Sequence, residues 1–247
     1  MEKEAKKRVL RKYIFISFLL IAIAVSILLM IRYNVEGEKN MPFQINKIVV
    51  QSTLDAQSRE SENLWDLGLT QNNDIYIYIE KNENIKTEQK LKSIKINRMA
   101  ITEKNEVGNI AVYLPTSNKV NQVYTASQED YFNKNISYYA NTSDNLEKQE
   151  ICQDGGMIAF RISNQNIGEY ISNEGNEIKY DKTLLEKSGI QEEKIKFTFE
   201  IDLIIELEGD EKYKGTISLD LPIDTFEKGG AVNKEITDLK HITFKRT

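Results

Sequence analysis

One cysteine, one histidine and three prolines in 247 residues exclude several chemistries at once. With Cys152 alone no disulfide forms within the chain, and with His241 alone a structural zinc site lacks its ligands. Exported chains in disulfide-forming compartments usually exploit that bond. Its absence here, beside heavy use of Asn, Ile and Lys, points to a bacterial protein from an AT-rich genome. Sortase transpeptidases pair a histidine with a later cysteine, whereas here Cys152 precedes His241 and sits in the polar run Glu150-Ile-Cys-Gln-Asp154. A surface histidine and an unpaired thiol are the expected outcome.

A basic stripe is missing as well. The chain has 33 basic and 38 acidic residues, and seven and two of these precede Tyr33. The remainder therefore carries 26 against 36, a net of −10, which is the wrong sign for a nucleic-acid surface. No serine stands in a Ser–Lys hydrolase motif, and the acidic clusters at 208–211 and 144–150 lack the spaced loop of a calcium site. Paired carboxylates of the glycosidase kind come from distant strands and leave no local signature. No enzyme activity, cofactor or metal is expected.

One long apolar run is present, Tyr13 to Ile31, bracketed by Arg11-Lys12 and Arg32. Its nineteen residues span roughly 28 Å as a helix, close to the hydrocarbon thickness of a bilayer. Lys3, Lys6, Lys7, Arg8, Arg11 and Lys12 precede it, so the N-terminus is expected to stay in the cytoplasm and the body to lie outside the cell membrane. A signal peptide would have a shorter core followed by a small-x-small site. Ala22-Ile-Ala24 lies mid-run, so an uncleaved anchor is expected. The division is a tail at 1–12, a transmembrane helix at 13–31, a polar link at 32–42 and one domain at 43–247. Fully extended, that link reaches about 35 Å.

Beyond the link the pattern is mostly period two. Strands are predicted at Phe43–Val50, Asp74–Glu80, Leu91–Ile101, Asn109–Leu114, Met157–Ile162, Lys194–Glu208, Tyr213–Ile223 and Ile236–Phe244. Only Asp181–Gly189 looks helical, with Asp181 as cap and Gly189 as stop. Asn72-Asn73-Asp74 reads as a turn. Between 197 and 223 two strands carry matching apolar faces, and parity excludes a two-residue turn between them. Pairing Leu207 with Tyr213 leaves a loop of Gly209 to Glu211 and opposes Glu206 to Lys214 and Glu208 to Lys212. One apolar face needs a second layer, so the predicted fold is mainly β: an N-terminal transmembrane helix, then an antiparallel β-sandwich with one short helix.

Candidate contact residues follow from this reading. Tyr76 and Tyr78 alternate with Ile75, Ile77 and Ile79 and leave the core on the other side. Residues 116–150 form a long polar excursion holding Tyr124, Tyr131, Phe132, Tyr138 and Tyr139, with room for one irregular strand. Tyr131, Tyr138 and Tyr139 offer faces for sugar rings, or else pack down and pin the loop. Arg161 shares a strand face with Ala159 and Met157, and is expected to pair with one acidic side chain.

The runs Met41-Pro42-Phe43-Gln-Ile-Asn-Lys-Ile48, Gln71-Asn-Asn-Asp-Ile-Tyr76 through Asn82 and Gly155-Gly-Met-Ile-Ala-Phe-Arg161 carry a resemblance, as do Asn166-Ile-Gly-Glu-Tyr-Ile-Ser172 and Glu235-Ile-Thr-Asp-Leu239. The chain resembles a family of single-pass membrane proteins of low-GC Gram-positive bacteria. The resemblance implies a cell type and no activity. The expected role is an interaction or scaffold module at the cell envelope, partnered by an envelope protein or by wall glycan. The alternatives are a module that binds wall glycan and, third, a carboxylate-dependent hydrolase.

Overall fold

The computed structural model describes residues 2–39, 41–85, 88–115, 129–140, 151–226, 229–239 and 241–247, with helix side chains from 11 to 31. Helix α1 (Glu2–Lys39) contains the apolar run, and Arg11–Ile31 is long and apolar enough to cross a membrane. Its backbone stays helical through residues 32–39. Most of the polar link expected at 32–42 is therefore a helical stalk of about 12 Å. Helical hydrogen bonding does not need the apolar pattern that marked the span, so it carries on past it. The first strand begins only four residues after the helix ends.

Two antiparallel sheets follow. The first has strand order β10-β1-β2-β7-β4, with β6 also on β7, and the second has order β11-β9-β8-β3-β5. The strands are β1 (Phe43–Ser58), β2 (Trp65–Lys81), β3 (Leu91–Glu103), β4 (Asn109–Tyr113), β5 (Ile136–Tyr139), β6 (Ile151–Cys152), β7 (Gly155–Ser172), β8 (Phe197–Leu207), β9 (Lys212–Leu221), β10 (Ala231–Ile236) and β11 (Lys245–Arg246). Helix α2 (Lys182–Lys187) and a 3-10 turn (Glu192–Ile195) lie between β7 and β8.

Strands β1, β2 and β7 are 16, 17 and 18 residues long. At about 3.3 Å per residue they run about 55 Å, longer than the second sheet can cover. Their halves next to the anchor face that sheet. Ile48, Val50, Ile75, Ile77, Ile79, Ile158 and Phe160 pack there against Ile94, Ile96, Phe199, Ile201, Leu203 and Ile205. Their far halves turn Leu54, Leu67, Leu69, Ile167 and Tyr170 onto Leu184 and Leu185 of α2, Ile195 and Phe226. Gly168 allows this close approach, because a Cβ there would lie 2.1 Å from Ile190 Cδ1. Thus α2, capped by Asp181 Oδ1 accepting from Thr183 N at 2.8 Å, roofs a second core on the same three strands.

The hairpin β8–β9 keeps the predicted parity but not the predicted register. Glu206 opposes Lys212 and Ile205 opposes Tyr213, so the pairing is two residues from expectation. Leu207 N donates to Glu211 O at 2.9 Å, and the loop is Glu208 to Asp210, with Asp210 at φ +64°. Glu206 gains more this way: Lys95 and Lys92 from β3 each reach it at 3.0 Å, and Lys212 at 3.9 Å. Of the predicted strand at Ile236–Phe244, only Ile236 is in a strand among the described residues. Ile236 ends β10 in the first sheet, while Lys245–Arg246 add to β9 in the second. Between them Phe244 packs over Gly215, whose missing Cβ would sit 3.0 Å from the ring.

Candidate functional site

The outward face of the first sheet carries the densest array of polar and aromatic side chains singled out in the sequence. Since Ile75, Ile77 and Ile79 turn inward, Asp74, Tyr76 and Tyr78 turn outward. Arg161 stands directly opposite Asp74 on β7, Ala159 opposite Tyr76 and Met157 opposite Tyr78. The Arg161 guanidinium donates twice to the Asp74 carboxylate, Nε to Oδ1 at 2.6 Å and Nη2 to Oδ2 at 2.8 Å. Asp74 is only 4% exposed, and burial raises its pKa in spite of the arginine. Burial and the Asp74 charge push the Tyr76 hydroxyl up to about 12. Tyr78 lies under Lys47, whose Nζ is 5.1 Å from the ring centre and 2.8 Å from Glu235. Along the same face Asn72 accepts from the Ser163 hydroxyl and donates to Asp55.

The opposite side of the same strands holds a buried polar belt. The Ser52 hydroxyl donates to Asn73 Oδ1 at 2.7 Å and accepts from Ile223 N at 2.9 Å. Asn73 Nδ2 donates to Ile162 O, Asn164 Nδ2 to Val107 O, and Asn105 Nδ2 to Asn164 Oδ1. Gln71 Oε1 is buried without a partner. The belt separates the two cores. The predicted turn Asn72-Asn73-Asp74 lies instead in the middle of β2, with Asn73 in the belt and Asn72 and Asp74 on the outward face. Local composition mimics a turn, whereas the partners that satisfy Asn72 and Asn73 come from β1 and β7.

The three tyrosines of the excursion do not share a surface. Tyr138 is 2% exposed, inside the sandwich, with its hydroxyl donating to Ala159 O at 3.4 Å. This corrects its placement as a contact residue, because β5 pairs with β3 in the register that turns Tyr138 inward and Tyr139 outward. Tyr139 is 48% exposed. Tyr131 is half-buried against the core, its hydroxyl donating to Glu129 Oε2 at 2.7 Å. Tyr124 and residues 116–128 and 141–150 lie outside the described residues.

Cys152 and His241 are both exposed. No group of three metal-ligating side chains occurs among the described residues. A cavity of about 550 Å³ opens at the end of the second sheet and includes Glu103, Thr198, Asp220 and Asp224. The Thr198 hydroxyl lies 2.8 Å from Asp220 Oδ1 and 3.5 Å from Glu103 Oε2, so two carboxylates flank one donor. Both acids are exposed.

The comparisons with known proteins return nothing: no family model matches the chain, nor does any curated protein or solved structure.

Proposed function

We propose that this chain is a membrane-anchored interaction module of the bacterial cell envelope, with its N-terminus in the cytoplasm and its β-sandwich outside the cell membrane. The observation that carries this reading is mechanical. The apolar helix and its helical stalk end at Lys39, β1 begins at Phe43, and three strands of 16 to 18 residues form the body's long sheet. So short a connection keeps the body close to the membrane. The excess of Lys and Arg before Tyr13 supports the orientation. The outward array of Tyr76, Tyr78 and Arg161–Asp74 is the kind of aromatic and arginine surface that protein partners favour.

Two measurements on the full chain test the reading. Cys152 is the only cysteine and is exposed, so a membrane-impermeant maleimide should label it in intact cells. Labelling that needs lysis would overturn the orientation. A photocrosslinking amino acid at Tyr76 or Tyr78 should capture a discrete membrane-protein partner. Pelleting with isolated wall sacculi without any such crosslink would move glycan binding into first place.

A further inference from the structure

The open edge of the second sheet carries an inference that rests on the module reading and assigns its partner a shape and a charge. Among the described residues, edge strand β9 is covered only at its start, where β11 pairs with Tyr213 and Lys214. From Gly215 to Leu221 no strand lies on its outer side among the described residues. The direction of the free groups follows from the hairpin. The Leu207 N to Glu211 O bond makes the odd-numbered residues of β9 bond back to β8. The N–H and C=O groups of Thr216, Ser218 and Asp220 therefore point away from the sheet, and their side chains are exposed on its outer face. Natural sheets usually blunt such an edge with a bulge, a proline or charged side chains, lysine above all, and here Asp220 is the one charge. Residues 215–221 have no bulge against β8, no proline and no lysine.

The charge beside the edge is specific. Across the end of the sheet runs the row Glu103, Thr198, Asp220, contributed by β3, β8 and β9 in turn. A hydroxyl has one proton, and Thr198 gives it to the nearer Asp220 oxygen. Neither Glu103 nor Asp220 has a cationic partner among the described residues. A strand added outside β9 would extend this row by one position, and its residue opposite Asp220 would point to the same face. Its alternate residues would fall on the side of Ile217 and Leu219, which is the apolar side.

We infer that β9 receives an extended segment of a partner protein by strand addition, apolar and polar residues alternating, with Lys or Arg at the polar position opposite Asp220. The main-chain bonds give the segment its alignment, and the uncompensated Glu103–Asp220 pair selects its charge. The net charge of −10 beyond residue 32 favours the same sign of partner.

The test uses the full chain in lipid nanodiscs and two nine-residue peptides of alternating Thr and Val, one with Lys at its central Thr position and one with Glu there. Hydrogen–deuterium exchange over residues 213–221 is the readout. The Lys peptide should slow exchange at the Thr216, Ser218 and Asp220 amides by about tenfold or more, and the Glu peptide should not. Asp220→Lys should reverse that order. Ser218→Pro removes an outward N–H without touching the β8 ladder and should abolish protection at unchanged melting temperature. If that variant misfolds, N-methylation of the peptide along its edge-facing amides replaces it and should abolish protection of the unmodified protein.

Equal protection by both peptides, or none at millimolar concentration, overturns the inference. Protection that grows with protein concentration alone gives the edge to a second copy and overturns it too. Crosslinks from Tyr76 or Tyr78 that persist in Ser218→Pro cells while the peptides fail would leave the module reading standing and remove only this edge.

Discussion

Arg161 and Asp74 face each other across β7 and β2 and form a two-pronged ion pair on a sheet face that is otherwise only partly wet. Removing one partner of a buried pair leaves the other charge uncompensated. Arg161→Ala should therefore destabilise the domain by about 3–5 kcal/mol, and adding Asp74→Leu should recover much of that loss. Burial already raises the Asp74 pKa, so the folded state holds that proton more tightly than the unfolded chain. The Arg161→Ala deficit should therefore shrink as pH falls through the folded pKa. Urea unfolding at neutral and mildly acidic pH measures this, and a deficit of equal size at both would show that Asp74 is not the group left stranded.

Glu206 gives the opposite dependence. Burial alone would raise its pKa, but the hydrogen bonds and charges of Lys95 and Lys92, with Lys212 beyond, pull it down to about 2. Its contribution is complete above the unfolded value near 4.5 and is lost as pH falls towards 2. Discounted for the exposure of its lysines, the contribution is about 1–2 kcal/mol. Glu206→Gln should flatten the stability-versus-pH curve across that window. A curve as steep as wild type would place the acid sensitivity elsewhere.

Tyr138 fills the sandwich. Truncation to Ala should cost about 3–5 kcal/mol, while Tyr138→Phe, which loses only the long bond to Ala159 O, should cost under about 1.5 kcal/mol. Loss of any binding in Tyr138→Ala would report unfolding. Tyr139→Ala, on the outward side of β5, should leave the melting temperature within a few degrees and is the informative substitution. Thermal melts of the three variants distinguish the two sides of the strand.

Glu192 is buried beside α2 with Oε1 unpaired, and burial raises its pKa. Its charged form is tolerated through the Phe226 N–H and the charges of Lys196 and Lys182. Glu192→Gln should stabilise the far core by about 1 kcal/mol at neutral pH, and the gain should fade as acid neutralises the wild-type carboxyl. Chemical denaturation across pH checks the sign, since a uniform loss would mean that the charge is needed for local structure.

The features legible in the sequence were those set by local pattern. Ile75, Ile77 and Ile79 declared a central strand by alternation, and Asp181 and Gly189 declared the ends of α2 by capping chemistry. The hairpin parity was equally local, since a one-residue slip would have turned every side chain over. The two-residue offset was not, because both registers share that parity. Lys92 and Lys95, more than a hundred residues earlier, favour the register found. Gln71 to Asp74 show the same limit, as a run of amides acquires its partners only when β1 and β7 arrive. Tyr138 and Tyr139 differ by one position, and which one is buried depends on where β5 meets β3. Nothing near Asp220 marks an edge, because a missing neighbour has no sequence signal.

The two cores share β1, β2 and β7, which has a consequence for a protein held at one end. A pull applied between the anchor and a partner at the far loops runs along these strands. It would load the β1–β2 and β2–β7 ladders in shear, many bonds at once, instead of peeling them one by one. The polar belt at mid-length fastens the second layer to that tension line through Ser52 and Ile223. Force would therefore reach the membrane helix through a body that stretches little.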